Sequence, residues 1–156
     1  MKKFLITSAL FFAVTCCYAQ SLSFEDLLNL TSMSGAQAHD LLTISKGFKS
    51  AGQQTLNGKV EDQYKIMKTP DKTETVLLSE ITRNTVGGVS RGVTYLTVQE
   101  SDINALLAQA KKTTLSLVFQ GSDANKNIYR FDNSLFKATI SLSFDKKWGS
   151  VEIEQK

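Results

Sequence analysis

The sequence predicts an α+β fold, an antiparallel sheet of about seven or eight strands with two or three helices against one face. Three observations carry this. Apolar residues recur at helical spacing between Ser23 and Phe48, the period then drops to two, and a helical segment after Ser101 divides the strand-like segments into two groups.

The first element precedes the fold. Lys2 and Lys3 lead into the apolar run Phe4 to Val14, which is too short to span a bilayer and has the length of a signal-peptide hydrophobic region. Signal cleavage needs small residues one and three positions before the cut. Cys17 and Ala19 meet this, so residues 1–19 read as a signal peptide and 20–156 as one exported domain starting at Gln20. A competing reading makes Cys16 or Cys17 a lipidated anchor. Lipidation favours Leu three residues upstream and Gly, Ala or Ser directly before the cysteine. Cys16 follows Ala13-Val14-Thr15 and Cys17 follows Val14-Thr15-Cys16, so neither fits. With soluble export both cysteines leave with the signal, which excludes a disulfide, a thiolate nucleophile or a Cys-ligated metal. The short signal with its double Lys points to the bacterial periplasm or exterior, where the Asn29-Leu30-Thr31 sequon carries no meaning.

Two short helices come next. Ser23 with Asp26, and Ser34 with Gln37, form capping boxes. Phe24, Leu27, Leu28 and Leu30 make one apolar side, and Ala38, Leu41 and Leu42 the other helix's. Gly47-Phe48 reads as a left-handed stop. Strands are predicted over Asp62 to Lys68, Glu74 to Ile81 and Arg91 to Val98, separated by Thr69-Pro70-Asp71-Lys72 and by Asn84 to Ser90 with its Gly87-Gly88. Ser101 is expected to cap a third helix with Ile103, Leu106, Leu107 and Ala110 on one face. Four strands follow: Thr114 to Gln120, Asn127 to Asp132, Leu135 to Phe144 and Trp148 to Gln155. In the third, Phe136, Ala138, Ile140, Leu142 and Phe144 alternate with Lys137, Thr139, Ser141 and Ser143, the pattern of a sheet with one covered and one wet face.

The order suggests a tandem repeat of halves 23–98 and 99–156. Tyr64-Lys65 matches Tyr129-Arg130, Thr75 to Ile81 matches Phe136 to Phe144, and Arg91-Gly92 matches Trp148-Gly149. This repeated helix-then-sheet order is similar to the β-lactamase-inhibitor-protein-like fold and to small envelope proteins of Gram-negative bacteria. The resemblance covers most of residues 23–155 and rests on element order and on turns such as Lys46-Gly47-Phe48. It implies a secreted tandem helix-and-sheet protein. Inhibitor proteins of that fold are typically disulfide-bonded, and a mature chain without cysteine is not, so no inhibitor residue carries over.

Composition narrows the function. Removing Lys2 and Lys3 takes two positive charges from a formal +3 and leaves +1, without a long like-charge run. No basic excess is present to hold nucleic acid or an anionic membrane. After the signal no apolar stretch is long enough to cross a bilayer.

Chemical signatures are sparse. The single histidine, His39, sits beside Asp40, but adjacent helical residues point apart and do not make a base with its orienter. With no second His and no mature Cys, a typical zinc site is not expected, and no cofactor is implied. No serine lies in a Gly-x-Ser-x-Gly elbow. Gly87-Gly88-Val89-Ser90-Arg91-Gly92 runs toward a strand rather than from a strand into a helix and lacks the phosphate-loop lysine, so it reads as a hairpin or loop. Asp71, Asp123, Asp132 and Asp145 sit at turns, where aspartate commonly bonds its own backbone. Trp148 and Tyr95 are expected to pack in the core or over a sheet edge.

The expectation is therefore an exported, non-enzymatic protein that binds a protein, peptide or envelope component through the wet sheet face, with Lys137, Thr139, Ser141, Glu152 and Glu154 as the binding residues. A small-molecule carrier with an enclosed apolar pocket is the alternative. A hydrolase would need converging carboxylates or a Ser-His contact.

Overall fold

The computed structural model describes residues 22–56, 58–69, 72–80, 82, 83 and 89–156. Cys16, Cys17, Ala19, Gln20, Asp71 and the Gly87-Gly88 pair lie outside the described residues.

Both capping boxes form as their sequences require. In α1 (Phe24–Leu30), Ser23 Oγ accepts from the Asp26 N–H at 3.1 Å and Asp26 Oδ2 accepts from the Ser23 N–H at 2.8 Å. Lys46 Nζ donates to the same carboxylate at 2.6 Å, tying the first helix to the end of the second. Partial burial raises the Asp26 pKa, but these hydrogen bonds and the lysine charge outweigh it and hold the carboxyl below its ordinary value. In α2 (Gly35–Asp40), Ser34 and Gln37 repeat the reciprocal arrangement.

The helix then widens into a π-turn, Leu41–Ser45, closed by Lys46 N–H donating to the Leu41 carbonyl at 3.0 Å. Within it Thr43 Oγ1 donates back to the His39 carbonyl at 2.8 Å, a side-chain bond that competes with regular backbone pairing. Gly47 adopts φ 75° and Phe48 N–H returns to the Leu42 carbonyl at 2.8 Å, which is the predicted stop.

Among the described residues ten strands follow: β1 (Lys49–Leu56), β2 (Lys59–Thr69), β3 (Lys72–Ser79), β4 (Thr82–Arg83), β5 (Val89–Ser90), β6 (Val93–Thr97), then, after α3 (Glu100–Ala110), β7 (Ser116–Ser122), β8 (Lys126–Asp132), β9 (Phe136–Ser143) and β10 (Gly149–Gln155). Eight form one antiparallel sheet in the order β1-β2-β3-β6-β10-β9-β8-β7, and β4-β5 make a separate short pair. Val89–Ser90, just before Arg91, pairs antiparallel with Thr82–Arg83. The fold is α+β, as the sequence predicts.

Most strand ends shift by one to three residues from expectation, and three differences go further. β1 was not foreseen, because Lys49-Ser50-Ala51-Gly52-Gln53-Gln54 shows no apolar alternation; as an edge strand it has little side-chain burial to encode. The third helix starts at Glu100 behind Gln99, not behind Ser101. No side chain caps its first amides; Thr97 instead accepts from the Gln99 N–H at 3.1 Å and donates to Asp102 Oδ2 at 3.0 Å, bracing the entry to the helix. Phe144 lies past the end of β9 and is 51% exposed rather than inward.

Register builds the core. Tyr64, Val76, Tyr95, Val151, Ile140 and Tyr129 face one another in turn across six strands. Leu78, Val93, Ile153, Ala138 and Phe131 form the next row. These positions share one side of the pleat, and cluster with Leu27 and Leu30 of α1, Leu42 of the π-turn, and Ile103 and Leu106 of α3. α3 approaches the sheet so closely at Gly149 that a Cβ there would sit 2.3 Å from Ile103 Cγ1 and 3.1 Å from the Ser141 carbonyl oxygen. A side chain of any size is excluded at this position.

Candidate binding face

The opposite side of the pleat carries the predicted site residues. A tight turn sets their register. Ser143 N–H donates to the Trp148 carbonyl at 3.1 Å, Trp148 N–H donates to Ser143 Oγ at 3.2 Å, and Lys146 takes the left-handed conformation at φ 59°. In the resulting β9–β10 pair, Lys137 faces Glu154, Thr139 faces Glu152 and Ser141 faces Ser150. All five predicted residues therefore lie together on the face turned away from the core.

Their roles are unequal. Lys137, Glu152 and Glu154 are exposed and Thr139 is half-buried. Ser141 was expected on the rim, but only 1% of it is accessible. A short side chain in a central strand lies below the level of its longer neighbours, so Ser141 belongs to the floor with Ser143 and Ser150, which are also buried.

Both signs of charge lie on this face. Lys137 stands between Glu154 and Asp132 in the ladder, and Arg130 faces Thr139. The Arg130 guanidinium lies 5.2 Å from the Phe119 ring centre. At the end formed by β2, β3, β6 and β10, a recess of about 450 Å³ opens to solvent, with Glu61, Ser79, Glu80, Thr94, Glu152 and Glu154 in its lining. Lys59 and Arg91 also border it, but Arg91 is buried and donates through Nη2 to the Met33 carbonyl at 2.7 Å. Four carboxylates at one mouth make an acidic pole. At the other end of the face Trp148 is 40% exposed, outside the core, with Lys126 Nζ 5.8 Å from its ring centre. Tyr95 is fully buried, as expected.

A second polar group lies on the core side and was not foreseen. Glu74 is buried, accepts from the Tyr95 hydroxyl at 2.9 Å and pairs with Lys68 Nζ at 2.9 Å. Burial pushes the Tyr95 hydroxyl pKa well up, and the Glu74 and Asp102 charges add to this. Asp102 is also raised, mainly by burial and then by the Glu74 charge, against the lowering hydrogen bond from Thr97. One signal was present in the sequence. Glu74 has the parity of Val76 and Leu78, a charge on an otherwise apolar stripe.

His39 is half-turned to the sheet, with Nδ1 3.3 Å from the Tyr64 hydroxyl and the two rings edge to face, rather than joined to Asp40. Asp123 and Asp145 close their own turns: Asp123 Oδ1 accepts from the Asn125 and Lys126 N–H groups at 2.8 and 3.0 Å, and Asp145 Oδ1 from Ser143 Oγ at 2.7 Å. Asp132 pairs with Lys156. Among the described residues no three His, Cys, Asp or Glu side chains gather to hold a metal, and no helix is long and apolar enough to cross a membrane. Compared with protein-family models and with curated proteins, the chain matches none.

Proposed function

We propose that this is an exported, non-enzymatic protein that uses the open face of its sheet to bind a protein or peptide of the bacterial envelope through basic side chains. The observation that carries the reading is the placement of Glu152 and Glu154, which join the β9–β10 face to a solvent-open recess shared with Glu61 and Glu80. An open recess with a charged mouth favours a macromolecular surface over the enclosed apolar pocket of a carrier. The tandem-repeat reading, and with it the resemblance to the β-lactamase-inhibitor-protein-like fold, draws support from topology: a helical segment and then β1, β2, β3 and β6 precede α3 and then β7 to β10, and the two groups meet at β6 and β10.

The test uses the 20–156 chain as bait in an envelope extract of its host. Wild type is expected to retain a partner that the Glu152→Lys/Glu154→Lys double variant loses, because the substitution inverts the charge at the recess. Recovery of the same proteins by both, or of none by either, overturns the reading. Export has its own measurement. The intact mass of the protein recovered from the host is expected to match a chain starting at Gln20, and a diacylated or triacylated cysteine at the N-terminus would place it on a membrane instead.

A further inference from the structure

The sheet ends on one side at β7, and every residue of this strand except Gly121 is exposed. Leu117, Val118 and Phe119 are 43%, 61% and 44% accessible, three consecutive apolar side chains presented to both faces. Soluble proteins blunt such edges with charge, proline or an irregularity. Here the whole stretch from Thr113 to Ser122 holds no charged residue and no proline. A bulge interrupts the ladder to β8 at Val118, between the Leu117–Phe131 and Phe119–Arg130 pairs. Beyond it Phe119 to Ser122 are regularly paired, with the Phe119 ring folded over Gly121 so tightly that a Cβ on Gly121 would lie 2.6 Å from Phe119 Cζ. The other edge is built differently. β1 carries Lys49, and Gln53 and Gln54 are engaged by Asp62 and Glu61 of β2.

We infer that β7 is a self-association edge, on which β7 of a second copy pairs antiparallel across a two-fold axis. The occupant follows from charge. An uncharged strand laid against itself brings no like charges opposite one another, whereas β1 of another copy would set Lys49 against an apolar stripe. An isologous pairing of this kind also closes at two copies. The joint has a counterpart inside the molecule, where β6 and β10 already meet antiparallel to unite two four-stranded groups. One strand covers less than the ~1,200 Å² of a standard stable interface, so the dimer is expected to dissociate in the micromolar range.

Light scattering after size exclusion of the 20–156 chain is expected to show dimer at about 100 µM that reverts to monomer on dilution. Val118→Lys and, separately, Gln120→Lys put a charge from each copy into the self-paired strand and are expected to weaken association at least about tenfold while leaving the thermal melt of the monomer unchanged. Amide exchange over residues 116–122 should slow with rising wild-type concentration. A wild type that is monomeric throughout, a dimer insensitive to both lysines, or growth past two copies overturns the assignment.

Discussion

Gly149→Ala is expected to destabilise the protein by about 3 kcal/mol and lower its Tm by on the order of 10 °C. The added methyl would stand 2.3 Å from Ile103 Cγ1 and 3.0 Å from its Cδ1, with the Ser141 carbonyl 3.1 Å away on the other side. Ile103 is β-branched and fully buried, so its Cγ1 has no free rotation by which to yield, and the carbonyl belongs to a central strand. Relief therefore requires α3 to lift from the sheet. Ile103→Ala alone is expected to cost about 3 kcal/mol for its cavity. In the double variant the new methyl enters that cavity, so the two costs should fall short of additive by at least about 1 kcal/mol in a denaturant-unfolding cycle. Strict additivity would show that the close approach of α3 is not what excludes the side chain.

Glu74→Ala is expected to cost a similar amount, about 3 kcal/mol by the same measurement. The Tyr95 hydroxyl, fully buried, loses the acceptor 2.9 Å away, while Lys68 is exposed enough to return to water. Glu74→Gln keeps an acceptor for Tyr95 and should cost distinctly less. If Glu74→Gln and Glu74→Ala are equivalent, the hydroxyl does not depend on this acceptor. The same cluster sets a pH dependence. Because the folded-state pKa of Asp102 lies above its unfolded value, the folded protein binds the proton more tightly. That advantage is full below the ordinary aspartate range and is lost as pH rises through the folded-state value. Asp102→Asn, which does not titrate, should therefore gain stability relative to wild type between about pH 3 and pH 7. A Tm difference that moves the opposite way with pH contradicts the burial-driven shift.

The parts of the fold legible in the sequence are those encoded locally. Ser23 with Asp26, Ser34 with Gln37 and the left-handed Gly47 each act within a few residues, and the alternation of β9 needs only its own side chains. β1 was hidden because an edge strand buries little and leaves no period to read. The start of α3 is not legible because no side chain caps it: the helix begins behind Gln99, and Ser101 lies inside it. Parity alone points to the binding-face residues, and it does bring them to one face. Only the Ser143–Trp148 turn determines that Glu154 meets Lys137 and Glu152 meets Thr139, and only the packing of neighbours sinks Ser141 into the floor. The role of Glu74 is not legible locally because its partners Lys68 and Tyr95 come from other strands.

The single joint between β6 and β10 also governs how the chain orders itself. Every other neighbouring pair in the sheet is made by strands that follow one another, or that are separated only by the short β4–β5 pair, so most contacts close small loops. Val93 against Ile153 and Thr97 against Gly149 instead close loops that contain α3 and all of β7, β8 and β9. Loop-closure entropy rises only logarithmically with length, yet it must be met before the long-range contacts return anything. The non-local share of this topology, and with it the kinetic barrier that contact order describes, is concentrated in one seam between two regions of otherwise local structure.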